Sequence, residues 1–307
     1  MNMTHHTISD HNKKWELPVE LQFETELIDT DVSVTKKLVK VFEDGTYEPG
    51  AYVGTNQGVK SHPEFFGEIN KSLRDKLPDG DLNQAHVLWQ HGYNGLFVVM
   101  DMRFPTICNE YDWFGTKWKK SLRLIIVRSI NGSVSTSAFF GDIDWFCLNT
   151  LISGNFESIK VRNTSNFNPV SFSNRIPELK NTFIENAFIE QEYTKIIVQP
   201  KLLDNLFSGL FPDEKNEEGE LKKNGKKQEF YDYYEAEAKS RGQTLYSVLS
   251  AFSQYSAHKP LRKTKSVDKW TTVAVRNHVR ELDVCRMMSG DEWFTFLDAH
   301  KAPIYQH

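Results

Sequence analysis

The sequence predicts an α+β fold, with an antiparallel, hairpin-rich sheet in the N-terminal half packed with a helical C-terminal half. Three observations predict it. Between Leu122 and Thr164, β-favouring runs are split by Asn131-Gly132, Gly141-Asp142 and Ser153-Gly154, and Asn-Gly between two such runs is a strong hairpin signal. Leu124 to Val127 is an apolar, largely β-branched run too short for a typical helix, which reads as a buried strand. From about residue 171 onward the apolar spacing turns helical. No Pro/Ser-rich linker and no solenoid-period repeat divides the chain. Residues 15–307 therefore read as one domain, strand-rich over 15–170 and helix-rich over 171–307, behind a flexible polar tail at 1–14.

The elements follow in order. His5, His6 and His11 belong to the polar tail. Leu21 to Leu27 fits strand or helix. Val32 to Phe42 and Thr46 to Val53 form a hairpin around Glu43-Asp44-Gly45. Residues 50–58 read as a loop whose spacing matches no phosphate-binding fingerprint. Ser61 and Glu64 make a capping box with Pro63 in the first turn, and Phe65, Ile69, Leu73 and Leu77 then recur every four residues as one apolar stripe. Ala85 to Gln90 and Leu96 to Arg103 pair around Gly92-Tyr93-Asn94-Gly95. His86 and His91, five apart, fall on opposite strand faces and share no metal. Past residue 170, Ile176 to Phe211 carries two helical faces. Asp213 to Gln228 reads as a mobile, mixed-charge loop with Leu221 as its apolar anchor. Phe230 to Ala238 and Thr244 to Tyr255 are helices parted by Gly242, and Asp291 to Ala299 is a final helix with an acidic first turn.

Composition narrows the function. With 39% hydrophobic, 13% aromatic and 25% charged residues, the 307-residue chain has the make-up of a globular protein with a sizeable core. Cys108, Cys147 and Cys285 are odd in number and lack CxxC spacing, which fits reduced thiols in a cytoplasm. No apolar run approaches the roughly 18 residues that span a bilayer, and the N-terminus lacks an apolar signal core, so no membrane role is expected.

Charge is segregated. Residues 113–128 hold Lys117, Lys119, Lys120, Arg123 and Arg128 without an acid, interleaved with Trp113, Phe114 and Trp118. Residues 258–280 hold Lys259, Arg262, Lys263, Lys265, Lys269, Arg276 and Arg280 against Asp268 alone. These regions carry +5 and +6 in a chain of net charge −4, which leaves −15 for the remainder. Aromatic planes beside positive charge are the parts that stack bases and hold phosphates of a single strand. The plain alternative is a solvated basic loop whose aromatics tuck into the core.

The motif Asn131-Gly132-Ser133, the segment Gly141-Asp142-Ile143-Asp144-Trp145-Phe146-Cys147-Leu148-Asn149-Thr150 and the basic strand Lys160-Val161-Arg162 resemble the domain-of-unknown-function family 932. Thr244-Leu245-Tyr246, leading to Gln254-Tyr255 and His258, extends the resemblance over roughly Leu122 to His258. The chain carries Asp144 and Asn163 near places where the family often has Arg and His. The resemblance implies a phage or plasmid origin and no particular reaction.

The chain has no Walker loop, GxGxxG, HExxH or GxSxG, and no cofactor is expected. Cys147 sits in an apolar, aromatic run and reads as an inert thiol. Asp142 and Asp144, two apart on one strand face, could hold Mg²⁺ with Asp101 or Glu157, or could line a solvent-facing edge or turn. The expected function is therefore non-catalytic binding of single-stranded DNA in replication or recombination, with Lys117, Trp118, Lys119, Lys120, Arg123, Arg128, Arg162 and residues 259–280 on the phosphates and bases. A metal-dependent nuclease and a module that binds a host or phage protein are the alternatives. A homo-oligomer is compatible with either.

Overall fold

The computed structural model describes residues 6–8, 17–32, 35–54, 59–113, 116–132, 136–144, 150–152, 174, 176–215, 221–222, 224–258 and 269–304. The N-terminal half is built of antiparallel sheets and the C-terminal half of helices, as the residue pattern predicts. A small sheet of β2 (Glu24–Asp29), β3 (Thr35–Val41) and β4 (Tyr47–Gly54) follows a 3₁₀ turn at Val19–Leu21. The large sheet runs in the order β1 (His6–Ile8), β5 (His86–Gly92), β6 (Phe97–Trp113), β7 (Thr116–Ser129), β8 (Ser137–Asp144) and β9 (Thr150–Ile152). Along the chain, α1 (His62–Arg74) and α2 (Asp79–Gln84) connect β4 to β5. The second half comprises α3 (Ile176–Tyr193), α4 (Pro200–Leu210), α5 (Gly225–Arg241), α6 (Leu245–His258), α7 (Lys269–Met288) and α8 (Asp291–Ala299). No helix among the described residues is long and apolar enough to cross a membrane.

Local chemistry accounts for most boundaries. Ser61 caps α1 by accepting the Glu64 N–H at 3.3 Å. The β5–β6 turn uses positive φ at Tyr93, Asn94 and Gly95, and the β7–β8 turn uses it at Gly132. Pro105 falls where β6 bulges between Phe104 and Cys108, a place where a missing N–H breaks no ladder bond.

Three expectations are corrected. Within the expected tail, His6–Ile8 form β1 and pair with β5. Gly141-Asp142 is no strand break but lies inside β8, where Gly141 stands opposite Arg123. The expected loop at 213–228 contains a two-residue hairpin, β10 (Glu214–Lys215) with β11 (Leu221–Lys222), and the first residues of α5.

Strand alternation gives the large sheet two packed faces. On one, Phe65, Phe66, Ile69 and Leu73 of α1 cover Trp89, Met100, Leu122, Leu124 and Ile126. On the other, Leu282 and Cys285 of α7 cover Phe97, Val99, Ile125, Val127 and Phe139. The helical half has its own aromatic core, in which Phe252 lies between Phe230 at 5.1 Å and Trp293 at 5.6 Å.

Candidate nucleic-acid interface

The first basic region is a strand. The bulge between Phe104 and Cys108 lies on β6, and β7 itself advances one residue per pairing step from Thr116 to Ser129, so Trp118, Lys120, Leu122, Leu124, Ile126 and Arg128 share one face, and Lys117, Lys119, Ser121, Arg123, Ile125 and Val127 share the other. Lys117 is exposed and Lys119 half-buried near the tip of the β6–β7 hairpin, with Glu110 opposite Lys119 in the register and Asp112 opposite Lys117. Trp118, Lys120, Arg123, Arg128 and, from the second region, Arg280 are buried. Their expected contacts with phosphates and bases are corrected on this point, because a group that meets a polyanion needs solvent access and these five are packed inside the fold. Trp113 ends β6; its side chain, like those of Lys269 and Arg276 on α7, lies outside the described residues, as do Arg162, Lys259, Arg262, Lys263 and Lys265 altogether.

Each buried cation meets a specific set of groups. Arg123 donates from Nε to Asp101 at 2.8 Å and from Nη1 to Glu281 of α7 at 2.7 Å. Arg103 closes on the same carboxylate at 2.9 Å. Burial pushes the Asp101 carboxyl up, but the guanidiniums of Arg123 and Arg103 outweigh it and hold the group below its ordinary range. By the same balance, burial opposes the charge of Arg123, and Asp101 and Glu281 raise its pKa above the usual value. Lys120, on the opposite face, lies 2.8 Å from Glu190 of α3 and 3.3 Å from Asp142 of β8, with the Tyr246 ring of α6 at 5.3 Å. Trp118 is covered by the Arg241 guanidinium at 4.3 Å, a cation–π contact made within the protein.

Arg128 lies beneath the start of α1. It donates to the Ser61 carbonyl at 2.9 Å and to that of Lys60, and it stacks over Phe65 at 4.3 Å. Burial pushes its pKa down to about 9, with Glu64 and Glu68 partly restoring it. The neighbouring His62 donates from Nε2 to the Gly95 carbonyl at 2.7 Å. Burial, then the charge of Arg128, pushes this imidazole well below its ordinary pKa, so it is neutral.

Of the carboxylates thought able to hold a metal, the two described side chains, Asp101 and Asp142, are not brought together. Asp101 shares a face with Ile125 and Phe139, whereas Asp142, opposite Leu122, faces the other way. Asp142 is buried against Lys120 and does not line a solvent-facing edge. The Asp144 side chain, Glu157 and Cys147 lie outside the described residues, and no cluster of three or more His, Cys, Asp or Glu suited to a metal occurs among the described ones. Burial raises the Cys285 thiol well above its usual pKa, so this cysteine is an apolar core residue.

The acidic partners Glu190 and Glu281 are what sequence reading missed. Each sits on a helix distant in sequence from the cation it meets, and its sequence signal is a charged residue at a position that helical spacing turns inward. A family model described as Domain of unknown function (DUF932) matches residues 116–279, which include Lys120, Asp142, Glu190, Arg241 and Tyr246. No curated protein and no solved structure matches the chain.

Proposed function

Because the chain belongs to the DUF932 family, whose description names no reaction, its role has to come from its geometry, and we propose that it is a non-catalytic nucleic-acid-binding protein of a phage or plasmid. On this reading it acts in the cytoplasm, holding single-stranded DNA during replication or recombination, strand annealing included. One observation carries the reading. The Arg123–Glu281 ion pair joins residues 158 positions apart and seats α7, the helix of the second basic region, on the strand face that also carries Lys117 and Lys119. Lys117 and Lys119 of the first basic region and α7 of the second, remote in sequence, thereby lie on the same face of the large sheet. Lys117, Lys119, Lys259, Arg262, Lys263 and Lys265 neutralise phosphates, and Trp113 supplies a stacking surface.

The test is a titration of nuclease-treated protein against labelled single-stranded and duplex DNA at low and moderate salt. Salt-sensitive preference for the single strand is expected. Replacing Lys117 and Lys119 by Ala removes two phosphate contacts and lowers the slope of log K against log salt by about 1.4. No binding at low salt overturns the proposal. That outcome, together with capture of a host protein that survives nuclease treatment, would replace it with an interaction role.

A further inference from the structure

A cavity of about 430 Å³ lies between the small sheet and α1, within the size range of ligand pockets. Phe23, Phe42 and Phe66 form aromatic walls, Asn70 adds a polar group, and Glu24 and Glu43 are exposed carboxylates on its lining. No Lys or Arg lines it among the described residues. The rings of Phe23 and Phe42 already attract a cation inside the protein, since Lys40 Nζ sits 5.2 and 5.3 Å from their centroids. The surroundings are acidic. Residues 20–50 hold eight carboxylates against three lysines, of which Lys40 is taken by Glu48 and Lys36 by Asp29 at 3.4 Å.

We propose that this pocket receives a Lys or Arg side chain from the basic segment 259–276 of a second copy of the chain. Three features of the molecule select that occupant. An aromatic-walled slot with carboxylates fits a cationic head on an apolar stem. Residues 259–276 hold six Lys or Arg and one Asp, so every molecule that has the pocket also brings its electrostatic complement. Within one copy, α1, which walls the pocket, packs on one face of the large sheet, and α7, which contains residues 269–276 of the segment, packs on the other. The contact is therefore heterologous, and repetition closes it into a ring or extends it into a filament.

Sedimentation velocity of the full chain without nucleic acid tests this independently of any DNA binding. Self-association at low salt is expected, weakened about tenfold in the Glu24→Gln/Glu43→Gln variant by loss of two partly exposed ion pairs. It is expected to be unchanged in Glu26→Gln, a same-sheet carboxylate that does not line the cavity, and reversed by a synthetic peptide of residues 258–280. A monomer at every concentration overturns the proposal. So does association indifferent to the double substitution or to the peptide.

Discussion

At the scale of single residues, the protein is marked by charges buried in matched sets. Arg123 satisfies two carboxylates that are themselves buried, Asp101 and Glu281. Removing one member of such a set is costly because the others stay behind without compensation. Arg123→Ala is expected to destabilise the fold by about 3–5 kcal/mol, read as a lower urea midpoint at unchanged slope. His62 gives a pH dependence whose sign follows from its neutrality. Its folded pKa lies well below the ordinary 6.5, so above that pH neither folded nor unfolded chain binds this proton. Below about pH 6.5 the unfolded chain takes it up and the folded chain does not, so stability is lost as pH falls, at up to ~1.4 kcal/mol per unit. Unfolding of His62→Gln, whose amide can donate to Gly95 and accept from Arg128, is expected to be flatter than wild type between pH 7.5 and 5.

At the scale of elements, the alternation of β7 decides what the basic region does. The same five cations in a loop would all be solvated. In a strand covered on both faces, Lys120 and Arg128 are carried under α3 and α1, Arg123 is carried under α7, and of the five Lys117 alone is exposed. The β5–β6 hairpin depends on backbone geometry. Gly95 has φ +82°, and a Cβ there would lie 2.9 Å from the Glu20 carbonyl oxygen. Gly95→Ala is expected to cost about 1–3 kcal/mol, measured by thermal or chemical unfolding, because it combines left-handed strain with a backbone clash that no side-chain rotation relieves.

At the scale of the whole molecule, the sheet half and the helical half meet through polar contacts as well as apolar ones. Lys120 joins β8 to α3, Arg123 joins β6 to α7, and Asn109 donates to the Phe183 carbonyl of α3 at 3.2 Å. If α7 presents the second basic region, its anchor matters for binding without touching DNA. Glu281→Gln is expected to lower affinity for single-stranded DNA several-fold while leaving the salt slope unchanged, since it removes no phosphate contact. A parallel fall in slope would place α7's anchor among the binding groups and count against this division of roles.

Much of the fold is legible in the residue order because the signals are local. Asn131-Gly132 turns a hairpin through Gly132, Ser61 caps α1, the four-residue stripe from Phe65 to Leu77 is buried as one face, and Gly242 separates two helices. Charge segregation is likewise fully present in the sequence. The fate of each charge is not, because burial of Lys120 depends on Glu190, seventy positions away, and that of Arg123 on Glu281, farther still. Period and propensity therefore determined the α+β layout and where the cations lie along the chain. Only the tertiary structure decided which cations are neutralised inside and which stay at the surface, because ion pairing and desolvation act through space between helices and strands that share no local pattern.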